Sequence, residues 1–189
     1  MSDSTAYGPA VQELLKVPRL APLGPGGPNV KVRPQLAALQ PQSLFAPQVI
    51  HDREMASACL AGLWLYHDFL DESHAISQEL HSNTGSYWHG LMHRREPDYG
   101  NAKYWFHRVG KHPVFEPLAV AARQLAAAEA DPAAAFLKTM TAWDPFAFID
   151  LCEAAAGGRA RCETLCRQVQ RQEWELLFDW CYRQALGRS

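Results

Sequence analysis

The sequence lacks the features that mark several classes of protein. It has no Cys-x-x-Cys pair, and its five cysteines are an odd number, which is typical of reduced buried thiols rather than disulfides. Its longest apolar run, residues 58–66, is far shorter than the roughly 20 residues that span a bilayer. The first ten residues lack the charged and apolar regions of a secretory signal. These absences predict a cytoplasmic protein that is not attached to a membrane.

The sequence also lacks a large net charge and the common catalytic motifs. The formal net charge is −2, so a nucleic-acid partner, which would require a strongly basic face, is not expected. No GxSxG, P-loop or HExxH pattern occurs. No segment alternates cleanly between apolar and polar residues, and no Asn-Gly or Asp-Gly hairpin signal is present. The fold class predicted by elimination and by helical periodicity is all-α.

Proline divides the chain into two regions. Eight of the thirteen prolines precede His51, and proline both lacks an amide hydrogen and disfavours helix at the residue before it. Residues 1–50 are therefore predicted to be a proline-rich, extended arm, with one short helix at residues 11–17. Leucines recur in this segment more often than is typical of disorder, so the arm is expected to pack on a helical body formed by residues 51–189; the alternative is a disordered arm.

Capping residues predict the helices of the body. Asp52 and Asp98 are suited to begin helices, and Gly110 to end one. A break near residues 69–71 separates a first helix from a second, and the polar segment at residues 81–86 is typical of a loop. Two further helices are predicted at residues 159–170 and 173–186. Stacked antiparallel helical pairs, or an irregular bundle, would accommodate this pattern.

Residues 86–113 carry the residue types of a binding site. The segment holds four of the eight histidines and two of the six tryptophans. Sites that bind a ligand combine aromatic walls with a few convergent polar groups, and this stretch supplies both.

The histidines form two stripes at helical spacing. His89, His93 and Glu96 share one face of a helix, and His67 and His74 share another if the helix is continuous there, with Asp71 and Gln78. Two such stripes on neighbouring helices would converge on zinc, iron or nickel. The candidate metal ligands are His67, His74, His89 and His93, with a carboxylate from Asp71, Glu72 or Glu96. The alternative is that these histidines hydrogen-bond within a helical interface or titrate at the surface.

Aromatic and basic residues form the second constellation. Arginine binds carboxylate or phosphate through its planar guanidinium and stacks on aromatic rings. The pattern favours a pocket for a small anionic ligand or an acidic peptide, with Arg108 beside Arg94 or Lys103; the alternative is a salt-bridged helical hairpin. The predicted ligand-binding residues are Trp88, His89, His93, Arg94, Asn101, Lys103, Tyr104, Trp105 and Arg108.

Residues 55–110 resemble tetratricopeptide repeats. Tyr99, Ala102 and Phe106 match the spacing of that repeat's second helix, and Trp88 and Leu91 match its first helix if the turn is shortened. The resemblance implies stacked hairpins around a concave peptide-binding groove. The block at residues 87–113 is also similar to a group of microbial helical proteins of uncharacterised function, which implies no activity.

Two functions from different classes follow. The leading interpretation is a helical binding module that needs no cofactor. The alternative is a metal-dependent enzyme, hydrolytic or oxygen-activating, that takes zinc or iron. A structural protein acting as a homo-oligomer stays open, as do the identity of any catalytic residue and whether the chain is an enzyme.

Overall fold

A computed structural model describes residues 7–188, and this part of the chain contains helices and loops but no strand. The all-α prediction is confirmed. The helices are α1 (Pro9–Leu15), α2 (Arg33–Ala38), α3 (Pro41–Phe45), α4 (Arg53–Tyr66), α5 (Leu70–Ser77), α6 (Asn83–Arg95), α7 (Tyr99–Val109), α8 (Phe115–Ala126), α9 (Ala135–Thr139), α10 (Pro145–Ala156) and α11 (Glu163–Ala185). The segment used to predict the lack of a secretory signal lies partly outside the described residues.

Aspartate caps begin three of the α-helices, as the sequence predicted for Asp52 and Asp98. Asp52 accepts a hydrogen bond from the amide of Met55 at 3.0 Å, and Asp98 accepts one from the amide of Asn101 at 3.1 Å. Asp144 caps α10 in the same way. Each carboxylate satisfies an amide that has no partner inside its helix, which fixes where the helix begins.

Two predicted boundaries are wrong. Residues 81–86 are not all loop, because the Ser82 hydroxyl accepts a hydrogen bond from the Gly85 amide at 3.1 Å and starts α6 at Asn83. A side chain at Gly85 would lie 2.3 Å from Leu80 Cβ, so only glycine permits this tight start. The last two predicted helices are one helix, α11, because the residues between them include neither proline nor glycine.

The chain breaks between α4 and α5. Asp68 has a φ of 64°, in the left-handed region, and α4 therefore ends at Tyr66. The Asp68 carboxylate is held at this break by Arg19 and Arg95, each at 2.5 Å. As a result, the continuous stripe predicted from His67 through α5 does not exist.

Helix α11 is the central element of the core. It packs against α4, α8 and α10. Its buried aromatic residues stack along one face, with the rings of Trp174 and Phe178 4.8 Å apart. The indole nitrogen of Trp174 donates a hydrogen bond to the carbonyl of Gly62 in α4 at 2.9 Å.

The N-terminal arm lies across this body from residue 7 onward. It contains the three short helices α1–α3, and it buries Val11, Leu36 and Phe45. The Phe45 ring stacks on Tyr182 of α11 with centroids 4.5 Å apart. The amide of Gly8 donates to the Tyr182 hydroxyl at 2.8 Å. The arm therefore contributes apolar side chains to the main core.

None of the helices formed by residues 7–188 combines the length and apolarity needed to cross a membrane.

Candidate metal site

Three histidines converge between α5 and α6. One nitrogen from each of His74, His89 and His93 lies within 4.8 Å of the others. His89 and His93 are one turn apart on α6, and their rings lie 4.8 Å apart. His74 approaches from α5, with its ring 4.6 Å from His89. His89 and His93 are buried, whereas His74 is half-buried, so the cluster is open to solvent on the side of His74.

His93 is oriented by two polar neighbours. Its Nδ1 lies 3.0 Å from a carboxylate oxygen of Glu96, and its Nε2 lies 3.1 Å from the side-chain nitrogen of Asn101 on α7. A carboxylate that accepts from Nδ1–H leaves the Nε2 lone pair as the acceptor or ligand atom. Burial lowers the pKa of His93, and the Glu96 carboxylate partly opposes that effect.

His89 is enclosed on its other faces. The indole ring of Trp105 stacks on the imidazole with centroids 4.0 Å apart and an angle of 24°. Its Nδ1 is buried and has no hydrogen-bond partner among the described residues. Burial, together with the neighbouring His93 and His74, lowers the pKa of His89 to about 4, and a hydrogen bond to the Ser77 backbone partly opposes this effect. The imidazole is therefore neutral at neutral pH, with one polar atom unsatisfied.

A glycine lets α7 approach the cluster. A Cβ at Gly90 would lie 2.8 Å from the Phe106 ring and 3.5 Å from Cβ of Trp105. With no side chain there, α7 packs closely enough against α6 for Trp105 and Asn101 to reach the histidines.

The fourth predicted metal ligand lies elsewhere. His67 follows α4, and its Nδ1 is 3.3 Å from the side-chain nitrogen of Asn29 in the arm. The left-handed turn at Asp68 separates His67 from α5, so it does not join the cluster. Among the candidate carboxylates, Glu96 contacts His93, whereas Glu72 pairs with Arg33 at 2.6 Å.

The predicted ligand-binding residues separate into two groups. His89, His93, Asn101 and Trp105 meet at the cluster. The Arg108 guanidinium lies 5.2 Å from the centre of the Trp105 ring, and the neighbouring Tyr104 is 54% exposed. The site is therefore flanked by an aromatic ring and one cation.

The other predicted residues have partners away from the cluster. Trp88 is fully buried and donates to the Cys181 sulfur at 3.4 Å. Arg94 pairs with Glu173 of α11 at 2.5 Å, and Lys103 pairs with Asp150 of α10. The structure does not bring Arg94 or Lys103 beside Arg108.

Sequence reasoning missed Glu173 as the partner of the central basic segment. It lies 79 residues from Arg94 and also accepts a hydrogen bond from the Tyr87 hydroxyl at 2.9 Å. In the sequence, Glu173 is only a carboxylate on a predicted helix, and helical spacing cannot assign its partner on α6.

Comparisons with family models, with curated proteins and with solved structures return no match. The resemblance to tetratricopeptide repeats therefore stays a prediction.

Proposed function

We propose that His74, His89 and His93 bind one divalent transition-metal ion, with zinc as the first candidate, and that the chain is a metal-dependent enzyme. The observation that carries this proposal is the convergence of one nitrogen from each of three imidazoles within 4.8 Å. One of these rings, His89, also has a buried Nδ1 without a hydrogen-bond partner. A buried nitrogen with no hydrogen bond is costly, and a metal ion would satisfy it.

The donor set fits such an ion. Zinc binds imidazole nitrogen at about 2.0–2.1 Å, which in tetrahedral geometry requires nitrogens roughly 3.4 Å apart. The three nitrogens, now within 4.8 Å of one another, would move closer together on binding the ion. The Glu96 carboxylate behind His93 is the kind of outer contact that orients a metal-binding imidazole. The amide of Asn101 would yield its place on Nε2 to the metal.

The number of ligands favours catalysis over a structural role. Structural zinc sites have four protein ligands, whereas catalytic sites commonly have three and keep one position for water or substrate. Within residues 7–188 the cluster offers three. A water on the free position would be acidified and could attack a substrate bound beside Trp105. Arg94 and Lys103 each face a carboxylate elsewhere, so the anion pocket expected around Arg108 has less support.

Metal titration of the whole chain, purified without an affinity tag and dialysed against a chelator, tests the proposal. Addition of Co²⁺ should give visible absorption bands of a low-coordinate nitrogen site that saturate at one ion per chain, and Zn²⁺ should displace them. His89→Ala and His93→Ala should abolish the bands. Glu96→Gln should weaken binding by about 10–100-fold.

An exposed histidine outside the cluster provides the matched control. His81→Ala should bind Co²⁺ like the wild type. Circular dichroism of each variant should show that the helical fold persists. Loss of binding in His81→Ala, or binding that survives in both cluster variants, would place the ion elsewhere. A wild-type chain that takes up no Co²⁺ or Zn²⁺ would end the proposal.

A further inference from the structure

A cavity lies between the arm and the body, on the side of α6 opposite to the histidine cluster. Its volume, measured as the space that the centre of a water molecule can occupy, is about 30 Å³. One water needs about 10–15 Å³ on this measure, so the cavity has room for two or three waters or for one small oxoanion of similar volume. Four arginines line it together with Gln170, Tyr66 and Trp174: Arg19 from the arm, Arg94 and Arg95 from α6, and Arg171 from α11.

Several polar atoms of the lining residues have no partner. The Nε and Nη1 groups of Arg94 and the Nε of Arg19 are buried donors without a hydrogen bond. The Arg94 side chain is 1% exposed, so water at the protein surface cannot serve it. The side-chain nitrogen of Gln170 donates a hydrogen bond to the carbonyl of Pro22, which fixes the orientation of the amide. The side-chain oxygen of Gln170 is then a buried acceptor without a partner.

The charges around the cavity do not balance. Arg19 and Arg95 share the single carboxylate of Asp68. Arg94 pairs with Glu173, and Arg171 pairs with Glu175. Four guanidinium groups thus face three carboxylates. The excess positive charge is shared by Arg19, which is 27% exposed, and the nearly buried Arg95.

We infer that this cavity binds a small oxoanion that also carries a hydroxyl, such as hydrogen phosphate or hydrogen carbonate. Its negative oxygens would accept from the free donors of Arg94 and Arg19 and neutralise the excess charge. Its hydroxyl would donate to the Gln170 oxygen, which would repel a fully deprotonated oxoanion. Ordered water would satisfy the same atoms but would leave the charge, so anion titration separates the two occupants.

Binding would also tie the arm to the body. Arg19 lies on the arm, whereas Arg94 lies on α6. The neighbouring arm carbonyls of Leu20 and Ala21 are already held by Arg167 of α11. An anion bridging Arg19 and Arg94 would add a link at the same crossing, so occupancy should slow the opening of the arm.

Hydrogen phosphate and sulfate are a matched pair of probes. Slightly above neutral pH both are dianions of similar size, and only phosphate carries a hydroxyl. At constant ionic strength, millimolar phosphate or hydrogen carbonate should raise the urea midpoint of the wild-type chain to a saturating value, and sulfate should raise it much less. Equilibrium dialysis should give one phosphate per chain.

Two arginines of the arm provide the variant and its control. Arg19→Gln should lose the phosphate-dependent rise, whereas Arg33→Gln, whose pair with Glu72 lies outside the cavity, should keep it. If Arg19→Gln fails to fold, the comparison of phosphate with sulfate in the wild type still tests whether the cavity binds an oxoanion that carries a hydroxyl. A wild type that responds to neither phosphate nor hydrogen carbonate, equal rises with phosphate and sulfate, or a rise that persists in Arg19→Gln would overturn the inference.

Discussion

Helix α6 presents two opposite chemistries on its two sides. His93 faces a cluster of imidazoles, and the next two residues, Arg94 and Arg95, face a cluster of guanidinium groups. Successive residues of an α-helix point about 100° apart, so these three adjacent side chains leave the helix in three different directions. All three side chains are nearly buried, with exposed fractions of 7%, 1% and 4%.

The buried polar groups on the two sides of α6 differ in whether they can lose their charge. On the histidine side burial lowers the pKa of His89 and of His93, and the unsatisfied atom is a nitrogen suited to a cation. On the arginine side the groups cannot lose their charge, and the unsatisfied atoms are donors suited to an anion. Under the two proposals the same helix supplies two complementary sites, and the stability of each side should respond to different changes.

The largest expected effect is the loss of the buried carboxylate on the arginine side. Glu173→Gln keeps the size of the side chain but leaves the Arg94 guanidinium without its counter-charge. Removing one partner of a buried ion pair costs about 3–5 kcal/mol. Urea unfolding should therefore show a marked fall in the free energy of unfolding.

A half-exposed pair is the matched control for that change. Asp150→Asn removes the partner of Lys103, whose side chain is 35% exposed, and should cost about 0–1 kcal/mol. Equal losses in the two variants would show that the Arg94 pair is not specially protected from solvent.

The next effect concerns buried imidazoles and pH, and His112 tests it outside the metal cluster. The Val114 amide donates to Nδ1 of His112 at 3.2 Å, so the ring must be neutral there, with Nε2 3.2 Å from the Thr84 hydroxyl. Burial lowers the pKa of His112 to about 4, from an ordinary value near 6.5. Between those values the unfolded chain binds more protons, so stability present above pH 6.5 is lost as the pH falls.

The loss from His112 should reach about 1.4 kcal/mol for each pH unit within that window. His112→Gln should flatten the dependence of the urea midpoint on pH, whereas His81→Gln, an exposed histidine, should leave it unchanged. The arginine side should contribute no slope in this range, because guanidinium groups stay charged. Identical pH profiles in the two variants would refute the assignment of this slope to His112.

Local signals in the sequence predicted much of the fold. Asp52 and Asp98 mark helix starts because a carboxylate that caps free amides acts within three residues of chain. The start of α6 was missed because the polar residues around Ser82 suit a loop as well as a helix terminus. Only the contact of Gly85 with Leu80 distinguishes the two, and that contact belongs to the folded chain.

The sites were predictable to the extent that they are local. The helical spacing of His89 and His93 placed them on one face, and His74 joined them from the preceding helix. His67 was misplaced because one left-handed residue, Asp68, redirects the backbone. The cavity on the other side of α6 combines side chains of the arm, α6 and α11, and no spacing in the sequence brings these together.

The smallest expected effect concerns Arg108, and it separates the anion cavity from the pocket first expected around this residue. Arg108 lies in the last turn of α7 over the ring of Trp105, at 5.2 Å. An exposed cation–π contact contributes about 0.5–1 kcal/mol, and a cation near a helix C-terminus about 0.3–1 kcal/mol. Arg108→Gln should therefore lower the free energy of unfolding only slightly, and Arg108→Lys, which keeps the charge, should lower it less.

If the anion lies between the arm and α6, the rise in urea midpoint with phosphate should be the same in Arg108→Gln as in the wild type. A phosphate response that disappears in Arg108→Gln and persists in Arg19→Gln would move the anion to the histidine side and reverse the comparison between the two sides of α6.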